Sequence, residues 1–136
     1  MITSASLGKE LVVTVPNKIG VLAGISKILA DHGVNIKGVA GYGIGPEAKI
    51  MVLSDDTLRA KEAIEKGGYK NIKENEIILV DLEDAPGALK SLTSKLLSDK
   101  IDIKYIYGTA CEGGCPARII ISTSDNEKAL VSFKAR

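Results

Sequence analysis

The chain repeats itself. Setting Gly20 on Gly87, an offset of 87 − 20 = 67 residues, brings the chemistry of the first half back in the second over several consecutive segments. A duplication restricts the fold more than composition does, because one supersecondary arrangement must suit both copies. Leu11, Val13 and Val15 fall on Ile78, Val80 and Leu82, with polar Thr14 on Asp81. Apolar residues two apart predict a strand at the head of each half. Val21, Leu22, Ile25 and Leu29 then fall on Ala88, Leu89, Leu92 and Leu96. Separations of three, four and seven predict a helix with one buried face in each copy.

Gly33 is placed to end the first helix in a left-handed conformation. Beyond it Val34, Asn35, Ile36 and Lys37 alternate as a half-buried strand should, with Ile101, Asp102, Ile103 and Lys104 as counterparts. After a glycine-rich turn, residues 48–54 and 117–123 predict further strands; the offset there is 117 − 48 = 69, so the second hairpin is two residues longer. Asp56 then opens a helix with Leu58, Ala63 and Ile64 on one side and Gly67 beyond its end, while Ser124 and Glu127 have the spacing of a capping box. Residues 69–74 read as a fourth strand. Each half therefore reads strand, helix, strand, strand, helix, strand. That is the α+β, ferredoxin-like βαββαβ order, an antiparallel sheet with helices on one face.

Two domains follow, 9–74 and 75–136. The second is short of a full final strand, since Ile72 carried forward by 69 would land beyond Arg136. Residues 131–134 as a short substitute, Met1 to Gly8, or a second chain can each cover the vacant edge. An uncovered edge strand invites pairing, so a homo-oligomer, at least a dimer, is expected.

Composition removes several classes of function. The 18 basic residues against 17 acidic ones leave a formal net charge of +1, too little to attract a nucleic acid or an anionic membrane over distance. Aromatic residues make up 4% of the chain, with no Trp and one Phe, which leaves few platforms for stacking bases. No segment offers the roughly 20 apolar residues a bilayer span needs, nor a basic then apolar leader, and a cytoplasmic location is expected. No Ser, His and Asp set, acidic pair in a cleft motif or nucleotide fingerprint is present, so the chain is expected to be no enzyme and to carry no cofactor.

The loop between first strand and first helix carries the most information. It reads Pro16, Asn17, Lys18, Ile19, Gly20 in one copy and Glu83, Asp84, Ala85, Pro86, Gly87 in the other. Asn17 and Asp84 can accept hydrogen bonds from the free amides at the helix start, and the glycines leave room for a ligand to reach the backbone. Those amides and the helix dipole suit a carboxylate, and the Asn or Asp side chain suits an ammonium group; an amino acid presents both. Asn or Asp with Pro and Gly also simply caps helices and tightens turns, but finding the loop twice in matching units favours the functional reading.

Asp84, Ala85, Pro86, Gly87, Ala88, Leu89 resembles the Asp-x-Pro-Gly-x-Leu signature that opens ACT domains, and Asn17, Lys18, Ile19, Gly20, Val21, Leu22 is a looser copy with Ile19 in place of the proline. The resemblance implies a non-catalytic regulatory module that binds an amino acid or related metabolite where two units pair, and that acts on a separate enzyme of amino-acid metabolism. It also implies ligand contacts from this loop, the helix start and the second strand of a partner unit. On this chain these match Asn17, Ile19, Gly20, Val21, Leu22, Asn35 and Ile36, and in the other copy Asp84, Pro86, Gly87, Ala88, Leu89, Asp102 and Ile103. The other reading is a structural or thiol-dependent interaction module without a ligand.

Cys111 and Cys115 lie in the longer hairpin with no equivalent in the first copy. They form an inert pair, a redox pair or, least of all, half a metal site, because His32, the one histidine, belongs to the other copy and zinc needs four ligands. His32 itself suits a helix end, where a positive imidazole meets the dipole. Gly41, Gly43 and Gly45 lack the Lys and following helix of a phosphate loop and read as turn geometry.

Overall fold

The computed structural model describes residues 1–135. Its elements are β1 (Ile2–Pro16), α1 (Val21–Asp31), β2 (Ile36–Ile44), β3 (Glu47–Ser54), α2 (Thr57–Lys66), β4 (Ile72–Leu82), α3 (Ala88–Ser98), β5 (Ile103–Thr109), β6 (Ala117–Thr123) and α4 (Asn126–Lys134). The chain divides into two compact units, Lys9–Asn75 and Met1–Gly8 together with the chain from Glu76 onward. The first unit has the full βαββαβ order, and the second repeats it as βαββα with its fourth strand supplied by Met1–Gly8, so that each is an antiparallel sheet with helices on one face.

In the first unit the strands run β2-β3-β1-β4. Leu11 to Pro16 pair antiparallel with Val52 to Glu47, and β2 lies on the far side of β3. Leu11, Val13 and Val15 point to the helices and pack with Ile25 and Leu29 of α1, Ile50 and Val52 of β3, and Ala60 and Ile64 of α2. Each fully buried Leu or Ile contributes about 1.5–3 kcal/mol.

The second unit runs β1-β4-β6-β5 and repeats this scheme. Ile78, Val80 and Leu82 pack with Leu92 and Leu96 of α3, Ile121 of β6, and Ala129 and Phe133 of α4. Its edge beside β4 is covered by Met1–Gly8: Glu83 N–H donates to Met1 O at 2.8 Å, Thr3 Oγ1 donates to Asp81 O at 3.1 Å, and Ile2 and Ala5 pack on the core. Of the expected candidates for that edge, residues 131–134 are excluded, since they lie in α4, where Phe133 is needed by the core. The fourth strand expected at 69–74 also differs. It starts at Ile72 and continues without interruption to Leu82, so the close of one repeat and the opening of the next are one strand.

The duplication extends to single hydrogen bonds. After α1, Val34 N–H donates to Leu29 O, and after α3, Ile101 N–H donates to Leu96 O, both at 2.9 Å, the signature of a Schellman motif. Gly33 takes the left-handed position of the first with φ 70°, and Lys100 takes it in the second with φ 58°. The bulges between Ile36 and Gly38 and between Ile103 and Tyr105 correspond. Asp56 caps α2 by accepting from Arg59 N–H at 3.0 Å, and Asp125 caps α4 by accepting from Lys128 N–H at 3.0 Å. Ser124 is therefore not the cap; its hydroxyl accepts from Asp102 N–H, as Asp55 accepts from Asn35 N–H. Three residues expected on buried helix faces are exposed instead: Leu22, Leu89 and Leu58. His32 ends α1 with Nδ1 2.8 Å from Ile28 O.

Candidate functional site

Each unit holds a cleft where its first strand turns into its first helix. The turn is set by a short bond in both copies, Lys18 N–H to Pro16 O at 3.0 Å and Ala85 N–H to Glu83 O at 2.9 Å. Gly20 and Gly87 then occupy the N-cap positions with φ 92° and 87°, a left-handed conformation that costs other residues about 1–2 kcal/mol. A Cβ at either would meet nothing within 4 Å, so backbone conformation, not crowding, selects glycine there. The first intrahelical bonds are Gly24 N–H to Gly20 O at 2.9 Å and Ser91 N–H to Gly87 O at 3.1 Å. The amides ahead of them have no carbonyl one turn back within the helix, although Ala88 N–H reaches Ala85 O at 3.2 Å.

Neither N-cap residue supplies a side-chain cap. The sequence places Asn17 as an acceptor for helix amides; the structure corrects this. Asn17 N–H donates to Pro46 O at 2.9 Å and its Nδ2 donates to Gly45 O at 3.1 Å, so the residue ties the corner to the β2–β3 turn. Gly43 makes the tie possible, because a Cβ there would lie 2.5 Å from Asn17 Nδ2. Asp84 has no N–H on its side chain, and no matching tie to the β5–β6 connection is present among the described residues.

The first cleft, of about 360 Å³, is lined by Val15 to Lys18, Val21 and Leu22, residues 39–43 of β2, and Ala48 and Ile50 of β3. The second, of about 280 Å³, is lined by Leu82 to Ala85, Ala88 and Leu89, Gly108 to Ala110, and Ala117 and Ile119. Carried by 67 before the hairpin and 69 after it, every residue lining the second cleft has its counterpart in the first. Volumes of this order lie at the small end of ligand sites.

Of the residues singled out in the sequence, Asn17, Val21 and Leu22 line the first cleft and Asp84, Ala88 and Leu89 the second. Leu22 and Leu89 remain 48% and 51% exposed at the mouths. Ile19 projects fully into solvent beside Gly20, while Pro86 and Gly87 form the second corner without lining it. Asn35, Ile36, Asp102 and Ile103 are not brought to the clefts of their own units. They sit at the opposite ends of β2 and β5, where Ile36 and Ile103 pack on the cores. Sequence reasoning missed the strand residues that floor the clefts, Gly41 and Tyr42 in one and Gly108 and Thr109 in the other, although the 67-residue offset already pairs them.

The clefts differ in charge. Lys18 is the ionic group of the first, whereas Glu83 and Asp84 stand in the second. Behind them, on the strand face away from the helices, Lys49 Nζ donates to Thr14 Oγ1 at 2.9 Å in the first unit. In the second, Arg118 forks onto Asp81 at 3.0 and 3.3 Å. The hydrogen bond from Arg118 holds the Asp81 carboxyl below its usual range, against a smaller opposing effect of burial, and Asp81 raises the Arg118 guanidinium in turn. Among the described residues no group of three or more His, Cys, Asp or Glu side chains could hold a metal ion.

The sequence profile of the ACT domain matches residues 9–66. The first unit is an ACT domain. The second copies its order, caps and cleft, and the whole chain has a tandem ACT fold. Protein BT0572 from Bacteroides thetaiotaomicron superposes with a TM-score of 0.88 at 21% identity, covering 96% of this chain and 88% of that one. The ligand-free regulatory subunit of aspartate kinase from Thermus thermophilus gives 0.65 at 18% identity, covering 97% and 95%. The aspartate kinase of Clostridium acetobutylicum gives 0.60 at 18% identity, covering 97% of this chain and 33% of that enzyme. At these identities the likeness shows the fold. No curated protein matches the sequence significantly. Among the described residues no helix is long and apolar enough to cross a membrane.

Proposed function

We propose that this protein is a non-catalytic, cytoplasmic regulatory protein whose two ACT units, 9–74 and 75–136 by the repeat, bind an amino acid or a closely related metabolite. The observation that carries the reading is the recurrence of one cleft, residue for residue, at both corners. A structural turn has no need to preserve an open hollow, an uncapped helix start and a left-handed glycine together. The amide-lined helix starts suit a carboxylate, Lys18 adds to this in the first cleft, and Glu83 and Asp84 suit an ammonium group in the second. Leu22, Leu89 and Ile19, exposed at the corners, suit a partner unit closing over the ligand, with Asn35, Ile36, Asp102 and Ile103 supplied from that partner in a homodimer. Because the fold is shared with an aspartate kinase regulatory subunit, the output proposed is modulation of a separate enzyme of amino-acid metabolism. The effector shifts that output by binding one assembly state more tightly than another.

The test is a melting-temperature screen against each standard amino acid. A ligand at about 100 times its dissociation constant stabilises by about 2.7 kcal/mol. Replacing Gly20 and Gly87 together with valine should abolish the shift while leaving the circular dichroism spectrum folded. A screen in which no amino acid moves the transition removes this reading.

A further inference from the structure

The β5–β6 connection carries a feature that the proposed function leaves unused. Cys111 and Cys115 are disulfide-bonded across it, with Cα atoms 5.4 Å apart, inside the range such bonds require. Both cysteines fall in residues 111–116, the stretch that stands against residues 44–47 and makes the second hairpin longer by 69 − 67 = 2 residues. The bond has a defined neighbour. Residues 111–116, with Thr3, Glu83 and Asp84, line an open hollow of about 640 Å³, and the same Glu83 and Asp84 line the second cleft beside Thr109 and Ala110. The disulfide loop and the ligand corner therefore share a wall.

The comparison with the first unit shows what the bond replaces. There the hairpin tip is fixed to the corner by Asn17, through its backbone N–H and its Nδ2. At the matching place Asp84 cannot donate from its side chain, and no bond from residue 84 to the connection is present among the described residues. The tip has little else to hold it: Gly113 and Gly114 stand at φ 88° and 90°, and a Cβ on either would touch nothing within 4 Å. The covalent link is the constraint that limits this loop. Both cysteines are partly exposed, so an exchanging thiol can reach them.

We propose that Cys111 and Cys115 form a reversible thiol–disulfide site that gates the second cleft. The oxidised loop stands against Glu83 and Asp84, and the reduced loop releases the corner. In the reducing direction a protein dithiol supplies two electrons and two protons: the Cys111–Cys115 bond breaks, two thiols form, and the donor leaves as its own disulfide. In the oxidising direction glutathione disulfide is cleaved to two glutathione thiols as the bond reforms. The gating of ligand affinity rests on the reading of the cleft given above; the redox change and the release of the corner do not.

The experiment therefore begins without ligand, on the full chain equilibrated in glutathione buffers of graded ratio. Thiols are trapped by alkylation and counted by mass, and amide hydrogen exchange is compared between the end states. We expect full interconversion, with residues 83–89 exchanging about tenfold faster once reduced. The mirrored residues 16–22 should be unchanged, and C111S/C115S should behave as the reduced form in every buffer. A pair that never oxidises, or equal exchange at residues 83–89 in both states, overturns the gate. With an amino acid found in the melting screen, titration of a G20V variant, which reports the second cleft alone, should show affinity about fivefold weaker on reduction; unchanged affinity also overturns the gate. A screen that finds no amino acid sinks the effector reading, and hydrogen exchange still decides whether the loop is a redox device.

Discussion

Removing Met1–Gly8, so that the chain starts at Lys9 after an initiator methionine, should unfold the second unit and spare the first. The deleted strand contributes Ile2 and Ala5 to the second core, the carbonyl that accepts from Glu83 N–H, and two hydroxyls, Thr3 and Ser4, bonded to Asp81. A part-buried isoleucine and a few hydrogen bonds, each with a net value of about 1 kcal/mol, amount together to about 4 kcal/mol. Domains of this size hold only about 5 kcal/mol or slightly more, so most of the unit's stability is lost. The first unit keeps every residue of its core, because that core uses β1 only from Leu11 onward. Hydrogen exchange followed by mass spectrometry separates the two outcomes. Protection should collapse in α3 and α4 and persist in α1 and α2. Equal loss in both units would show that the strand is not the second unit's own, and unchanged protection in α3 and α4 would refute its role in the fold.

Asn17→Ala should cost about 0.5–1.5 kcal/mol by thermal melting through loss of the bond to Gly45, and Gly43→Ala should mimic it, because the new Cβ displaces the Asn17 amide. Lys100→Gly should raise stability by about 0.5–1 kcal/mol in urea titrations, since it relieves a left-handed lysine at φ 58° while adding some freedom to the unfolded chain. Asp81→Asn should lose about 0.5–1 kcal/mol at neutral pH. Because Arg118 lowers the folded Asp81 pKa, that difference is present above the ordinary carboxylate value and disappears as pH falls through the lowered one; urea midpoints of the two proteins that do not converge as the pH is lowered would contradict it.

The fold was legible because the repeat supplied its own check. Apolar spacing at Leu11, Val13 and Val15 is weak alone, yet the same spacing 67 residues on makes a coincidence of pattern implausible. The errors lie where a local rule was preferred to the repeat. Ser124 and Glu127 have capping-box spacing, but an offset of 69 carries Asp56 to Asp125, which is the cap the structure uses. The single long β4 was not legible, since residues 72–82 contain no feature that distinguishes a turn from its absence in so short a stretch. Helical spacing likewise cannot separate a residue packed on the core from one at the rim of a cleft, which is why Leu22 and Leu89 read as buried.

For the corners, the sequence marks the loop but not which groups its side chains bond. Asn17 was identified by residue type, but whether an amide side chain accepts from a helix or donates to a hairpin depends on which group lies nearer. Only the fold brings Gly45 within 3.1 Å. The same residue shows why the two clefts are not interchangeable. Replacing an amide by the carboxylate of Asp84 removes the donor that fixes one hairpin and, with Glu83, puts negative charge where the other cleft has Lys18. On the proposed reading, a zwitterion in the first cleft would meet Lys18 beside the helix start, and one in the second would meet Glu83 and Asp84. The duplication thus kept the backbone geometry of the cleft and divided the charges around it, so under the proposed function the two clefts need not share an affinity or a ligand.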